Sequence, residues 1–209
     1  MKTPSPNTAD RSEPWIQEVE FYRKLLHLSS LAAPLGVIWW GRLPVLFILG
    51  LGSFLALAGQ LLQVRSRWAN ERIERVFGSM MRPHEKRSVG DPIRLNGATW
   101  LTVSAFLIFL CFPASTGVAA FSLAVIGDTA AAFVGIRWGH HSIYGTQKTV
   151  EGSLAFFVTG LLTVTLLLDL PVWKAAIAAL GGTAAEACTV SINDNLLVPF
   201  VCGTILILL

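Results

Sequence analysis

Charge is scarce in this sequence. Only 14% of its 209 residues are Asp, Glu, Lys or Arg, against about a quarter in soluble domains. With 53% hydrophobic residues, that shortage argues against an ordinary soluble enzyme, and no nucleic-acid partner is expected. Cysteine is sparse too. Cys111, Cys188 and Cys202 each sit in an apolar run without metal-ligand spacing. An odd count inside a membrane argues against a disulfide framework, so they read as packing residues. The start, "MKTPSPNTADRSEPWIQEVEFYRK", lacks the apolar core of a signal peptide. Residues 1–12, rich in Pro, Ser, Thr and Asn, read as disordered. Residues 13–209 then form a single membrane-embedded domain.

What the chain has instead is apolar runs. They cover residues 25–41, 43–64, 97–112, 114–137, 153–169, 171–188 and 195–209. A helix needs roughly 17–25 such residues to cross a bilayer. Most runs meet that, while 97–112 and 195–209 are short. The expectation is an all-α, polytopic membrane bundle of about seven transmembrane helices. The basic residues set its orientation. Of the 16 lysines and arginines, only Arg42 and Lys174 fall on one side of that arrangement. Positive residues favour the cytoplasmic face, so the N-terminus is expected inside and the C-terminus outside.

A few polar residues break the pattern. Asp128 lies deep in the run 114–137, beside Gly127, Ala131, Gly135 and Gly139 at four-residue spacing. An intramembrane acid is costly and functional by default, and a small-residue stripe lets a second helix approach closely. The loop "GHHSIYGTQKTVEG" follows. It imitates the end of a phosphate-binding P-loop, but Lys148 stands three residues after Gly145, and no strand precedes it. Its glycines, Lys148, Thr149 and the helix start at Glu151-Gly152 nevertheless suit a phosphate. His140 and His141 read as loop residues. In "FYRKLLHL", Arg23 shares a face with His27, and Lys24 is three residues from it. Residues 65–96 begin with an amphipathic pattern suited to an interfacial helix, and Arg82 with Glu85 stand where the chain can fold back. Near the end, Glu186 lies in an apolar run, and Asp194-Asn195 form a good N-cap pair. All these groups fall on the cytoplasmic face. That one-sidedness suits an enzyme joining a cytosolic reactant to a lipid, and argues against a transporter or non-enzymatic lipid-binding protein.

The stretches "RKLLH", "RPHE", "GDTAAAFVGIRWG…GTQKTVEGSLAFF" and "EA…DNLLVP", in that order, resemble the CTP-dependent lipid-alcohol kinases, which include phytol kinase, dolichol kinase and CTP-dependent diacylglycerol kinase. The central motif is also similar to one in the CDP-diacylglycerol synthases, but their Lys-, Arg-, His- and Asp-rich C-terminal signature is replaced here by "AEACTVSINDNLLVPF". The resemblance implies transfer of the γ-phosphate of CTP to the hydroxyl of a lipid alcohol from the bilayer. A cytidylyltransferase making a CDP-lipid is the alternative. The catalytic set implied is Asp128, Lys148, Glu186 and Asp194, with Asp128 and Asp194 holding Mg²⁺ or another divalent cation. Arg23, Lys24, His27, Arg82, Glu85, Lys148, Thr149, Glu151, Gly152 and Asn195 would hold the nucleotide. Either Asp128 or Glu186 takes the hydroxyl proton.

Overall fold

The computed structural model describes residues 23–77, 88–143, 148–188 and 193–209. Among them the regular structure is helical. Helical residues 23–29 (α1) are followed by α2 (Ala32–Trp40), α3 (Arg42–Arg65), α4 (Arg67–Phe77), α5 (Gly97–Cys111), α6 (Ala114–Trp138), α7 (Val150–Leu167), α8 (Val172–Cys188) and α9 (Asp194–Leu208). Every one of the seven apolar runs contains helix. Three of the helices, α3, α6 and α7, are long and apolar enough to cross a bilayer, while α5 and α9 are apolar but shorter. The expected count of seven crossings therefore goes beyond what helix length alone supports.

The run 25–41 is not one helix. Proline has no N–H and crowds the carbonyl four residues back, and Pro34 falls one turn after a break at Ser30–Leu31. There the ladder tightens to three-residue bonds: Ser30 N–H donates to the His27 carbonyl and Leu31 N–H to that of Leu28. The reversal from α2 into α3 needs a glycine, because Gly41 has φ 84°, a region that residues with a Cβ seldom enter.

The bundle is built round α6, which packs against α2, α5, α7, α8 and α9. Its closest neighbour is α7. A Cβ on Gly127 would stand 2.8 Å from the Phe156 ring, one on Gly135 2.9 Å from Thr149 Oγ1, and one on Gly152 2.8 Å from the Ala131 carbonyl oxygen. The small-residue stripe is therefore the seam with α7. Opposite that seam, fully buried Phe109, Phe121 and Ile108 join α5 to α6. The outer helix α3 turns Leu43, Phe47, Phe54 and Leu55 outward, an exterior that matches lipid rather than water. The two basic residues expected on the far side each satisfy a helix end. Arg42 donates to the carbonyls of Phe109 and Leu110 at 2.6 Å, closing the C-terminus of α5, and Lys174 donates to the carbonyl of Leu209.

α4 is the amphipathic helix expected at the start of residues 65–96. Trp68 and Val76 are exposed, with the Arg72 guanidinium over the Trp68 ring, while Ala69 is buried and Ile73 half-buried. At about 100° per residue, Trp68, Ala69, Ile73 and Val76 nevertheless fall on one side of the helix, as an interfacial helix requires.

Candidate active site

Four helix ends and α1 meet at one end of the bundle. α6 and α8 run toward it with their C-terminal halves; α7 and α9 begin there. Asp128 lies ten residues before the end of α6, about 15 Å along the axis. Its partners come from α1. Lys24 Nζ donates to Asp128 Oδ2 at 2.5 Å and reaches the Asp128 carbonyl at 3.4 Å. His27 Nε2 stands 3.4 Å from the same carboxylate oxygen. The i, i+3 spacing of Lys24 and His27 puts both on the face of α1 that looks at α6. Arg23, half-buried, immediately precedes them.

A second couple forms beside the first. Lys148 Nζ donates to Glu186 Oε1 at 2.5 Å and lies 3.4 Å from Asp194 Oδ2. Burial alone would lower the Lys148 pKa, but Glu186 first and then Asp194 outweigh it and hold the ammonium above its ordinary value. The Glu186 side chain is only 3% exposed, whereas those of Lys148 and Asp194 are 30% and 35% exposed. The pair is thus anchored at the carboxylate end and open at the lysine end.

The two couples share a cavity. Asp128, Glu186, Asp194, His27 and Asn195 line its polar side, and Leu101, Phe121, Ala124, Val125 and Val198 its apolar side. Its free space is about 10 Å³, room for roughly one water. A nucleotide base cannot fit in a space of that size.

Arg23 stands half-buried beside Lys24, and the other sequence-derived residues divide into three groups. Lys24, His27, Asp128, Lys148, Glu186, Asp194 and Asn195 are brought together. Thr149, Glu151 and Gly152 instead build the entry to α7. The Thr149 hydroxyl accepts from Gly152 N–H at 3.2 Å as the N-cap, which satisfies a first-turn donor. The Glu151 carboxylate turns to His141, 2.6 Å from its Nδ1 and 3.3 Å from its backbone N–H, so it pins the loop to the helix. Ser142 and Thr149 bridge across the same loop. Arg82 and Glu85 lie outside the described residues. The cap of α9 also differs from its reading. Asn193 is the N-cap, its Oδ1 accepting from Asn195 N–H at 3.1 Å, a donor that Asp194 Oδ1 shares at 3.0 Å. Asp194 is the first helical residue, where the helix dipole favours its charge.

Two contributions were missed in the sequence. His141 was set aside as a loop residue, yet it holds Glu151 across ten positions; no periodicity signals such a pair. The apolar wall of the cavity comes from three helices and has no local signature either.

Among the described residues, no group of three His, Cys, Asp or Glu side chains could by itself hold a metal ion. Asp128 and Asp194 offer separate carboxylates on one cavity. That donor set fits an ion that takes one or two carboxylates and completes its shell with substrate phosphates and water, as Mg²⁺ does.

Comparison with known proteins follows the same line. The CTP-dependent diacylglycerol kinase 1 of Schizosaccharomyces pombe is 26% identical, covering 93% of this chain and 95% of the relative. An uncharacterized protein of Rickettsia prowazekii is 25% identical, covering 87% of this chain and 90% of its own length. The dolichol kinase of Saccharomyces cerevisiae is 40% identical over 84 residues, which is 35% of this chain but only 16% of that much longer protein. No protein-family model matches the chain, and no solved structure does. These named relatives support kinship with the CTP-dependent lipid kinases.

Proposed function

We propose that this chain is an integral membrane kinase that transfers the γ-phosphate of CTP to the hydroxyl of a lipid alcohol of the polyprenol, phytol or diacylglycerol type. The products are a lipid phosphate and CDP. One observation carries the reading: two lysine–carboxylate couples face one cavity that is polar at its mouth and apolar within. The kinase names of the relatives support it.

The chemistry follows from the placement. Phosphoryl transfer asks a protein mainly for positioning and charge stabilisation. Lys148, together with Arg23 or Lys24, neutralises phosphate oxygens at the mouth. The N-termini of α7 and α9 face the same region and add their positive ends. Asp128 and Asp194 would hold a divalent cation, which when bound supplies further charge neutralisation of the triphosphate. The lipid hydroxyl comes from the apolar side, past Leu101, Val125 and Val198, and a carboxylate on the cavity wall takes its proton. The mouth faces the cytoplasm, because the basic residues gather there.

One experiment tests both the activity and the orientation. In sealed inverted vesicles supplied with lipid alcohol, external CTP is expected to give CDP and lipid phosphate. Right-side-out vesicles are expected to do so only after permeabilisation. Equal conversion by both would contradict the orientation, and conversion by neither would contradict the kinase.

A further inference from the structure

Three carboxylates line the cavity, and they are held differently. Asp128 is bound by Lys24 at 2.5 Å with His27 at 3.4 Å. Two basic groups on one carboxylate leave it poorly suited to receive a proton, and well suited to remain charged. Glu186 lies deeper, on the boundary with the apolar wall, and its close partner is Lys148. That lysine comes from the α6–α7 loop rather than from a helix. Its stem is flexible, with three rotatable donors at the end, and its side chain is 30% exposed at the mouth. Among the described residues, Lys148 therefore touches the buried acid and also reaches the exposed mouth, where a triphosphate would enter.

We infer that Glu186 and the nucleotide compete for Lys148, and that the nucleotide, by drawing Lys148 to its phosphate oxygens, releases Glu186 to act as the base. The inference rests on the nucleotide-kinase reading above and deepens it. Phosphate oxygens are strong acceptors for an ammonium group, so the exchange replaces one charged contact with another. What changes is Glu186. At 3% exposure, it loses the Lys148 contact while water cannot replace it fully, and a buried carboxylate deprived of its cation is costly. Taking a proton removes that cost. The lipid hydroxyl beside the apolar wall is the proton source. Its oxygen forms the new bond to the γ-phosphorus as its proton passes to Glu186, and the bond to the bridging β-phosphate oxygen breaks, releasing CDP. The proton then leaves Glu186 for the open mouth. Coupling the base to the nucleotide in this way orders the reaction: Glu186 is blocked until a triphosphate is seated.

The competition gives an unusual signature, because removing the base should strengthen nucleotide binding. Equilibrium binding of labelled CTP is measured in lipid nanodiscs for the wild type, Glu186→Gln, Glu186→Asp, Lys148→Met and the double variant Lys148→Met/Glu186→Gln. Glu186→Gln is expected to bind CTP about tenfold or more tightly, the scale of a hydrogen bond to a charged group, and to lose turnover by at least about a hundredfold, the scale of a general base. Glu186→Asp shortens the reach to Lys148 but keeps the acid. It should also bind more tightly while retaining part of the turnover. In the Lys148→Met background the gain from Glu186→Gln should vanish, since the two residues act through one contact. A gain that persists without Lys148 would mean general repulsion between Glu186 and the nucleotide and would overturn the proposal, as would no gain in either Glu186 variant. Wild-type protein that binds no CTP would overturn the nucleotide site itself, a separate and distinguishable result.

Discussion

Asp128→Asn is expected to lower kcat by about a thousandfold while folded protein remains in the membrane. The estimate takes the upper range for removing one preorganised electrostatic group from an active site. Asparagine keeps the shape and still accepts a hydrogen bond from Lys24, so the α1–α6 contact survives. The charge does not. Without it Lys24 and His27 lose the carboxylate that fixes them, and the divalent cation proposed to sit on Asp128 and Asp194 would lose one of its two acids. Lys24 is 24% exposed, so its ammonium can hydrate, and a large folding defect is not expected. The measurement is kcat on protein shown to be monodisperse in detergent. Activity near the wild-type level would make Asp128 a structural acid that merely ties α1 to α6.

Gly152→Val is expected to lower the melting temperature sharply and to remove most activity. A Cβ at Gly152 would lie 2.8 Å from the Ala131 carbonyl oxygen, which is backbone and cannot swing away, and 3.0 Å from Thr149 Oγ1. Relief requires α6 and α7 to separate. Overpacking of this kind costs about 1–3 kcal/mol. The same movement carries off Lys148, four residues upstream, whose contact with Glu186 is only 2.5 Å. Gly59→Ala supplies the control, because a Cβ there meets nothing within 4 Å. It should be neutral or slightly stabilising, since alanine is the better helix former. Equal melting of the two variants would contradict the close α6–α7 seam.

The parts of this account legible in the sequence are those with a local physical cost. Apolar runs in a chain this poor in charge must be helices, because a lipid-exposed backbone has to satisfy itself. Asp128 and Glu186 stand out for the same reason, being acids in apolar runs. The stripe Gly127–Ala131–Gly135 announces a close helix neighbour. Pairings are another matter. Lys24 and Asp128 are 104 positions apart, and Lys148 and Glu186 are 38 apart. Nothing local says which lysine faces which acid. The sequence reading assigned lysines to phosphate and acids to metal; the fold shows lysines and acids on each other, and from that contact the competition at Lys148 follows. Local competition also explains smaller differences. Pro34 breaks the first apolar run because its missing N–H outweighs the apolar pattern. Asn193 occupies the N-cap position of α9, and its side chain shares the Asn195 N–H with the Asp194 carboxylate.

The central claim is that a phosphoryl group, and specifically the terminal one, passes from CTP to a lipid alcohol. The position of an isotope decides it. A cytidylyltransferase would move the CMP unit, which carries the α-phosphate, and would need a lipid already bearing phosphate. Membranes containing this protein, given lipid alcohol and CTP labelled at either position, are expected to yield labelled lipid from γ-labelled CTP and none from α-labelled CTP. Label entering the lipid from the α position would contradict the kinase while leaving the nucleotide site standing. Failure of both labels to enter phytol, polyprenol or diacylglycerol would contradict the proposed reaction as a whole.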